Sequence, residues 1–272
     1  MDDHVLFFKH GPNLAVYRRL NEMQEYWERR WSGTNLKAML RNARTGDLGE
    51  LEALMLEYLP KDGLLLEAGC GPGRIVCALA ARGYHVEGID YAADTIARAR
   101  LIAPDLEMRV GDIFAIDRPD GAYAGYISLG VLEHSEQGPQ AGLREAYRVL
   151  RPGGIALLEV PYLNRPRARL HARAPSLNPE ALPAGLNFFQ YQFDPQDFRR
   201  ETAQAGFEIL AEAHLQLLEG FSSDYRVGLW LRQRHYFSWR LYRALQRLGA
   251  GAPSGLKRDH SHMMMFVARK PG

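Results

Sequence analysis

Between Leu64 and Val160 the chain alternates short apolar runs with longer amphipathic stretches. The run Leu64–Ala68, "LLLEA", has no helical period and suits a strand buried on both faces. Gly73–Arg82 then reads as a helix, Val86–Ile89 as a strand, Ala92–Leu101 as a helix and Leu106–Val110 as a strand. Tyr123–Leu129 and Ile155–Val160 add two strands, and between them a helix over Gln140–Leu150 stops at "RPGG". Strands alternating with helices predict an α/β fold: a doubly wound, mostly parallel seven-stranded sheet with helices on both faces and right-handed crossovers.

The flanks have other patterns. Residues 14–31 and 48–59 show helix-like apolar spacing, with Leu51, Leu54, Met55 and Leu59 on one face, so 1–60 is read as an N-terminal helical cap. After the core, 61–160, a Pro- and Arg-rich passage runs to Gly185 without a clear element. Asp194 and Pro195 begin a helix by N-cap and first-turn chemistry, and "AGFEIL" turns it into a strand. A second interruption, 216–261, contains a long helix, and "MMMFVAR" reads as the last strand. The expectation is one domain with two insertions, 161–193 and 216–261.

Composition changes this picture little. Apolar residues at 46% and charged residues at 24% are ordinary for a soluble globular protein. The N-terminus lacks the pattern of a signal peptide, and no apolar run approaches the roughly 18 residues of a membrane span. Two cysteines, Cys70 and Cys77, are too few for a disulfide framework and lack zinc spacing, which points to a reducing cytoplasm. Charge is divided unevenly. Residues 1–160 carry 18 Lys/Arg against 23 Asp/Glu, net −5, and residues 161–272 carry 16 against 9, net +7.

The chemistry concentrates in "LLLEAGCGPGRIVCALAARGYHVEGID". A dinucleotide fingerprint spaces its glycines G-x-G-x-x-G so that a pyrophosphate can settle on the helix N-terminus. Here the glycines are Gly69, Gly71 and Gly73, and Arg74 stands where the third would be. Glu67 precedes the loop, where a carboxylate suits an ammonium group better than a phosphate. Asp90 ends the second strand, followed by Tyr91, and its two oxygens can take a ribose diol. The site asks for adenosine, an ammonium group and no phosphates.

At these residues the chain resembles the class I S-adenosylmethionine-dependent methyltransferases, in particular the group around ubiquinone and menaquinone biosynthesis. "EAGCGPG" is similar to the family's first motif, Asp90 to its second-strand acid, and "RVLRPGG" to the turn before its fifth strand. "GDI", with Asp112 and Ile113, is similar to the segment that flanks adenine, and "SLGVLEH", with Leu129, to the fourth-strand tip. The resemblance implies S-adenosylmethionine as cofactor. Two rivals are a hydride-transferring enzyme, separable by titration with NAD(H), and a noncatalytic binding partner that turns over no acceptor.

The tip also bears on the acceptor. Amino-methylating nucleic-acid enzymes carry a D/N-P-P-Y-type tip there, and this chain does not, so nucleic acid is disfavoured as partner. The family geometry would bring His134 near the methyl group, as base for a hydroxyl acceptor or as a structural loop histidine. Related quinone O-methyltransferases hold a divalent metal with a Glu-His pair and an acid three residues earlier. This chain has Glu133 and His134 but Gly130, so no metal is expected. Tyr26, Trp27 and Trp31 are candidates to cap the cofactor, and Tyr162, Asn164, His171, Phe189 and Tyr191 to line an acceptor pocket. The expected acceptor is a small molecule or a lipid- or sugar-linked intermediate, methylated at oxygen, with nitrogen or carbon as the alternative. Tyr225–Leu248 has no acidic residue. It sets Trp230, Phe237, Leu241, Leu245 and Leu248 against Arg232, Arg240, Arg243 and Arg247. Such a helix can pack on its own domain, bind an anionic acceptor or make peripheral membrane contact.

Overall fold

The computed structural model describes residues 5–20, 22–178, 182–224, 249 and 251–272. The chain opens with a hairpin, β1 (Val5–His10) and β2 (Asn13–Arg19), turned at Gly11 with φ +56°. Three helices follow, α1 (Met23–Ser32), α2 (Leu36–Ala43) and α3 (Glu52–Tyr58). Next come β3 (Leu65–Ala68), α4 (Arg74–Ala81), β4 (Val86–Asp90), α5 (Ala93–Ile102), β5 (Glu107–Val110) and β6 (Tyr123–Leu129). Then α6 (Gln140–Val149), β7 (Leu150–Pro161), α7 (Arg165–Arg173), β8 (Leu186–Gln192), α8 (Pro195–Gln204) and β9 (Glu208–Leu215). The described chain closes with α9 (Leu217–Asp224), α10 (Ser254–His260) and β10 (Met263–Arg269).

Seven strands form one sheet in the order β5-β4-β3-β6-β7-β10-β9. Pairing is parallel except at β10, which runs antiparallel to both β7 and β9. Side chains alternate along each strand and fill a core on each face. Leu65, Ile127, Leu157 and Met265 join the core under α2, α4 and α5; Leu66, Tyr126, Leu158 and Phe266 join the one under α6 and α8. The doubly wound sheet expected from the sequence is present. The strand order reverses between β3 and β6, so the crevice at the carboxyl ends lies there, as in open α/β sheets generally.

Three local expectations fail. Residues 14–31 divide into β2 and α1 rather than forming one helix. "VLFFKHGPNLAVYRR" is two β-rich runs around a Gly-Pro turn, and Tyr17 fixes the register by edge contacts with Phe8 and Phe188. A second, three-stranded sheet, β1-β2-β8, results. The passage after β7 is also structured. Asn164 caps α7 by accepting from the Arg167 N–H at 3.1 Å, and β8 pairs with β2. Buried Arg167 donates to Asp224 at 3.0 Å and to the His262 carbonyl at 2.9 Å, tying α7 to α9 and to the start of β10. Thirdly, β7 begins at Leu150, because Gly153 and Gly154 exchange backbone bonds with Lys270 instead of turning away. In 216–261 the described residues form α9 and α10, and the long helix expected over 225–248 lies outside the described residues. Among the described residues no helix is long and apolar enough to cross a membrane.

Candidate cofactor and catalytic site

From Ala68 the chain turns into α4 through Gly69, Gly71 and Gly73, at φ +80°, +50° and +79°. Side chains are excluded as well as strained. A Cβ on Gly69 would lie 2.5 Å from Val131, and one on Gly73 would collide with the Met108 sulfur. The loop is anchored to the end of β4: Gly69 and Cys70 both donate to the Ile89 carbonyl, at 2.8 and 2.9 Å. Asp90 completes the anchor. Its Oδ2 accepts from the Gly71 N–H at 2.8 Å and its Oδ1 from the Ala92 N–H at 2.9 Å. Each oxygen keeps acceptor capacity for a further donor, as a vicinal diol requires. Burial pushes the Asp90 carboxyl up, against the backbone N–H groups that hold it ionised.

A cavity of about 470 Å³ opens above this loop. Its walls bring together Gly69, Gly71, Asp90 and Tyr91 with Asp112, Ile113, Leu129 and His134, from the ends of β3, β4, β5 and β6. Asp112 shapes its own turn by accepting from the Phe114 N–H at 2.9 Å. Two residues named with these do not line the cavity. Gly73 sits beneath it against Met108. Glu67 turns away and accepts from the Val76 N–H at 3.1 Å, in the first turn of α4, with burial pushing its pKa to about 8.

Trp27 and Trp31 of α1 do reach the cavity, stacked on each other at 6.3 Å. The Trp31 ring packs over the glycine loop, 3.1 Å from where a Cβ on Gly71 would stand. Met23, Phe114, Val131 and Ser135 are wall residues that the sequence reading missed. Val131 lies within the "SLGVLEH" tip and Ser135 directly follows it, whereas nothing local marks Met23. Several proposed pocket-liners have other duties. The Tyr162 hydroxyl donates to the Arg258 carbonyl, Tyr191 to the Glu136 carbonyl, Asn164 caps α7, and His171 bonds to the Gly11 carbonyl.

His134 follows β6, separated in the sheet by β3 and β4 from the β5 end that carries Asp112, and it lies between the rings of Trp27 and Phe189 at 5.3 and 5.1 Å. Its Nδ1–H donates to the Phe189 carbonyl at 2.6 Å, which fixes the tautomer and leaves Nε2 as acceptor. Burial lowers its pKa to about 4, so it is neutral at neutral pH. Nε2 lies 3.8 Å from Oε1 of Glu133, a carboxyl that is itself 3% exposed. Among the described residues no set of three His, Cys, Asp or Glu side chains is placed to hold a metal ion. A second cavity, about 520 Å³, shares Leu129 with the first and is lined by Arg74, Glu159 and Gln216 among others.

The family profile described as a methyltransferase domain matches residues 66–158. A Mycolicibacterium smegmatis protein named as an S-adenosylmethionine-dependent methyltransferase is 35% identical over 97 residues, 36% of this chain and 37% of that one. The ubiquinone biosynthesis O-methyltransferase of Pseudomonas aeruginosa is 31% identical over 153 residues, 53% of this chain and 64% of that one. The chain thus spans less than two thirds of the length of these relatives. A solved Pyrococcus horikoshii OT3 protein superposes with a TM-score of 0.59 at 18% identity, covering 92% of this chain and all of that one. This last likeness is one of fold.

Proposed function

We propose that the chain carries a class I S-adenosylmethionine-dependent methyltransferase domain and that the whole protein transfers a methyl group to a hydroxyl oxygen of a small-molecule acceptor. The observation that carries this reading is the single cavity that gathers a glycine cradle, the pinned carboxylate of Asp90, the Asp112–Ile113 turn and His134. S-adenosylmethionine, when bound, supplies an electrophilic methyl group. Gly69 and Gly71 would admit its methionine part to the backbone, Asp90 its ribose, and Asp112 and Ile113 its adenine. Trp27 and Trp31 offer aromatic faces to a sulfonium.

The oxygen preference is supported by the Pseudomonas relative, named as an O-methyltransferase, and by His134. With Nδ1–H held by the Phe189 carbonyl, Nε2 is the atom able to take a hydroxyl proton. Its low basicity makes positioning the larger contribution and proton removal the smaller one. The neighbouring cavity behind Leu129 gives an acceptor room beside the cofactor. The two cysteines are unpaired and buried, in keeping with a cytoplasmic site of action. An anionic acceptor or a peripheral membrane contact would belong to residues 225–248, by their sequence alone.

The test is incubation of the full chain with methyl-labelled S-adenosylmethionine and a panel of hydroxyl, amine and activated-carbon acceptors, read by mass spectrometry. Label recovered on oxygen supports the proposal. Label only on nitrogen or carbon replaces the acceptor atom, and failure to bind S-adenosylmethionine at all overturns the reading.

A further inference from the structure

Three glutamates near the cavity are almost completely buried: Glu67, Glu133 and Glu159. Two of them have donors. Glu67 accepts from the Val76 N–H, and Glu159 accepts from the Gln216 side-chain amide at 3.1 Å. Glu133 differs. Its Oε2 has no hydrogen-bond partner among the described residues, although the atom is sealed from solvent.

The position of that carboxyl is specific. It lies in the short turn after β6, and its Oε1 is 3.4 Å from where a Cβ on Gly130 would stand. Gly130 lines the cofactor cavity, and the side on which it lacks a side chain faces the Glu133 carboxyl and the Met263 methyl, so the carboxyl lies directly behind the cavity wall. The charged and titratable groups facing Glu133 are His134 on its own turn and Glu159 on β7, and neither is a cation at neutral pH. A buried carboxyl with no cation and an unmet oxygen favours its protonated form: burial pushes the Glu133 pKa up and Glu159 adds to it, against the pull of the residue's own backbone N–H. An adenosyl group with its ribose at Asp90 and adenine at Asp112 leaves the Gly130–His134 end for the part of the cofactor that carries positive charge.

We propose that Glu133 is the counter-ion of the cofactor's sulfonium: it is a neutral acid in the empty protein and gives up its proton when S-adenosylmethionine binds. The O–H bond of the carboxyl breaks, the proton passes to the buffer, and the carboxylate left behind offsets the fixed positive charge. The demethylated product has lost the sulfonium charge and gives no such drive. Glu133 is therefore a positioning residue that distinguishes cofactor from product by charge. The inference rests on the proposed cofactor and adds to it.

Calorimetric titration of the full chain tests it, with S-adenosylmethionine and S-adenosylhomocysteine each run near pH 7 in phosphate and in Tris. The two buffers differ in ionisation enthalpy, so the difference between them counts protons released. S-adenosylmethionine should release a substantial fraction of a proton and S-adenosylhomocysteine clearly less, and Glu133→Gln should erase the difference while both still bind. Equal release from the two ligands overturns the proposal. So does a difference that survives in Glu133→Gln, which would assign the proton to Glu67 or Glu159. If Glu133→Gln does not fold, the wild-type affinity ratio decides. It should favour S-adenosylmethionine more as pH rises, by up to about tenfold per unit, and level off above about pH 8; a ratio flat from about pH 6 to 8 rejects the idea. Absence of binding by either ligand would instead reject the cofactor.

Discussion

Asp90 and Gly71 are 19 positions apart in the chain and 2.8 Å apart across the loop, carboxylate oxygen to backbone nitrogen. One bond joins the end of the second core strand to the middle of the glycine turn. The carboxylate holds the loop, and under the proposed function its remaining lone pairs would take a ribose.

Asp90→Ala removes both. Hydrogen bonds to a charged acceptor contribute about 1.5–3 kcal/mol each, so affinity for S-adenosylmethionine should fall at least about tenfold. Calorimetry on a variant with native circular dichroism checks this. Unchanged affinity in a folded variant would show that Asp90 anchors the loop and touches no ligand.

Gly71→Val should be as damaging for a different reason. The site has φ +50°, where a β-branched residue is strained, and the new side chain would press on the Trp31 ring. The variant should lose cofactor binding, and tryptophan fluorescence should report the displaced ring. Wild-type affinity with an undisturbed emission spectrum would mean that the loop has room to spare.

These two residues were legible in the sequence because the turn is local chemistry: glycines where φ is positive, and an acid one strand away. The sheet was legible for a similar reason, since buried parallel strands read as bare apolar runs. Trp27 and Trp31 could be guessed, but not their distance from Gly71, which depends on α1 crossing the loop. The β1-β2-β8 sheet was missed because β8 lies 167 residues after Leu20, with which its Asn187 bonds, and no local pattern announces such a partner. Tyr162 and Tyr191 show the same limit, since an aromatic residue looks the same in sequence whether its hydroxyl faces a ligand or, as here, a backbone carbonyl.

His134→Ala separates a proton acceptor from a loop brace. If Nε2 takes the acceptor proton, turnover should fall by roughly 10²–10⁴-fold with cofactor affinity nearly intact. Because burial holds the wild-type imidazole near 4, the acidic limb it causes should lie below about pH 5 rather than near neutrality. A variant keeping more than about a third of the activity assigns His134 to bracing the Phe189 carbonyl.

Stability of the empty protein should fall as pH rises through neutrality, the reverse of the acid sensitivity that paired carboxylates give. Burial pushes Glu67 and Glu133 to about 8 and Glu159 to about 7, above the ordinary 4.5 of each. A carboxyl raised on folding binds its proton more tightly in the native state, so its contribution is lost between the unfolded and folded values. Each costs roughly 1 kcal/mol per pH unit in that window, and Asp90, also raised, acts in the same direction. His134 opposes them only below about 6.5, where the unfolded imidazole charges and the buried one does not. The slope should therefore be steepest between about pH 6.5 and 7 and flatten above 8. Thermal melts of the ligand-free chain at constant ionic strength should show a midpoint several degrees lower near pH 8 than near pH 5.5. Glu133→Gln should remove one carboxyl's share of that fall. A midpoint that rises or stays level across this range would mean that the three glutamates are already ionised in the folded protein, with cations or water meeting them.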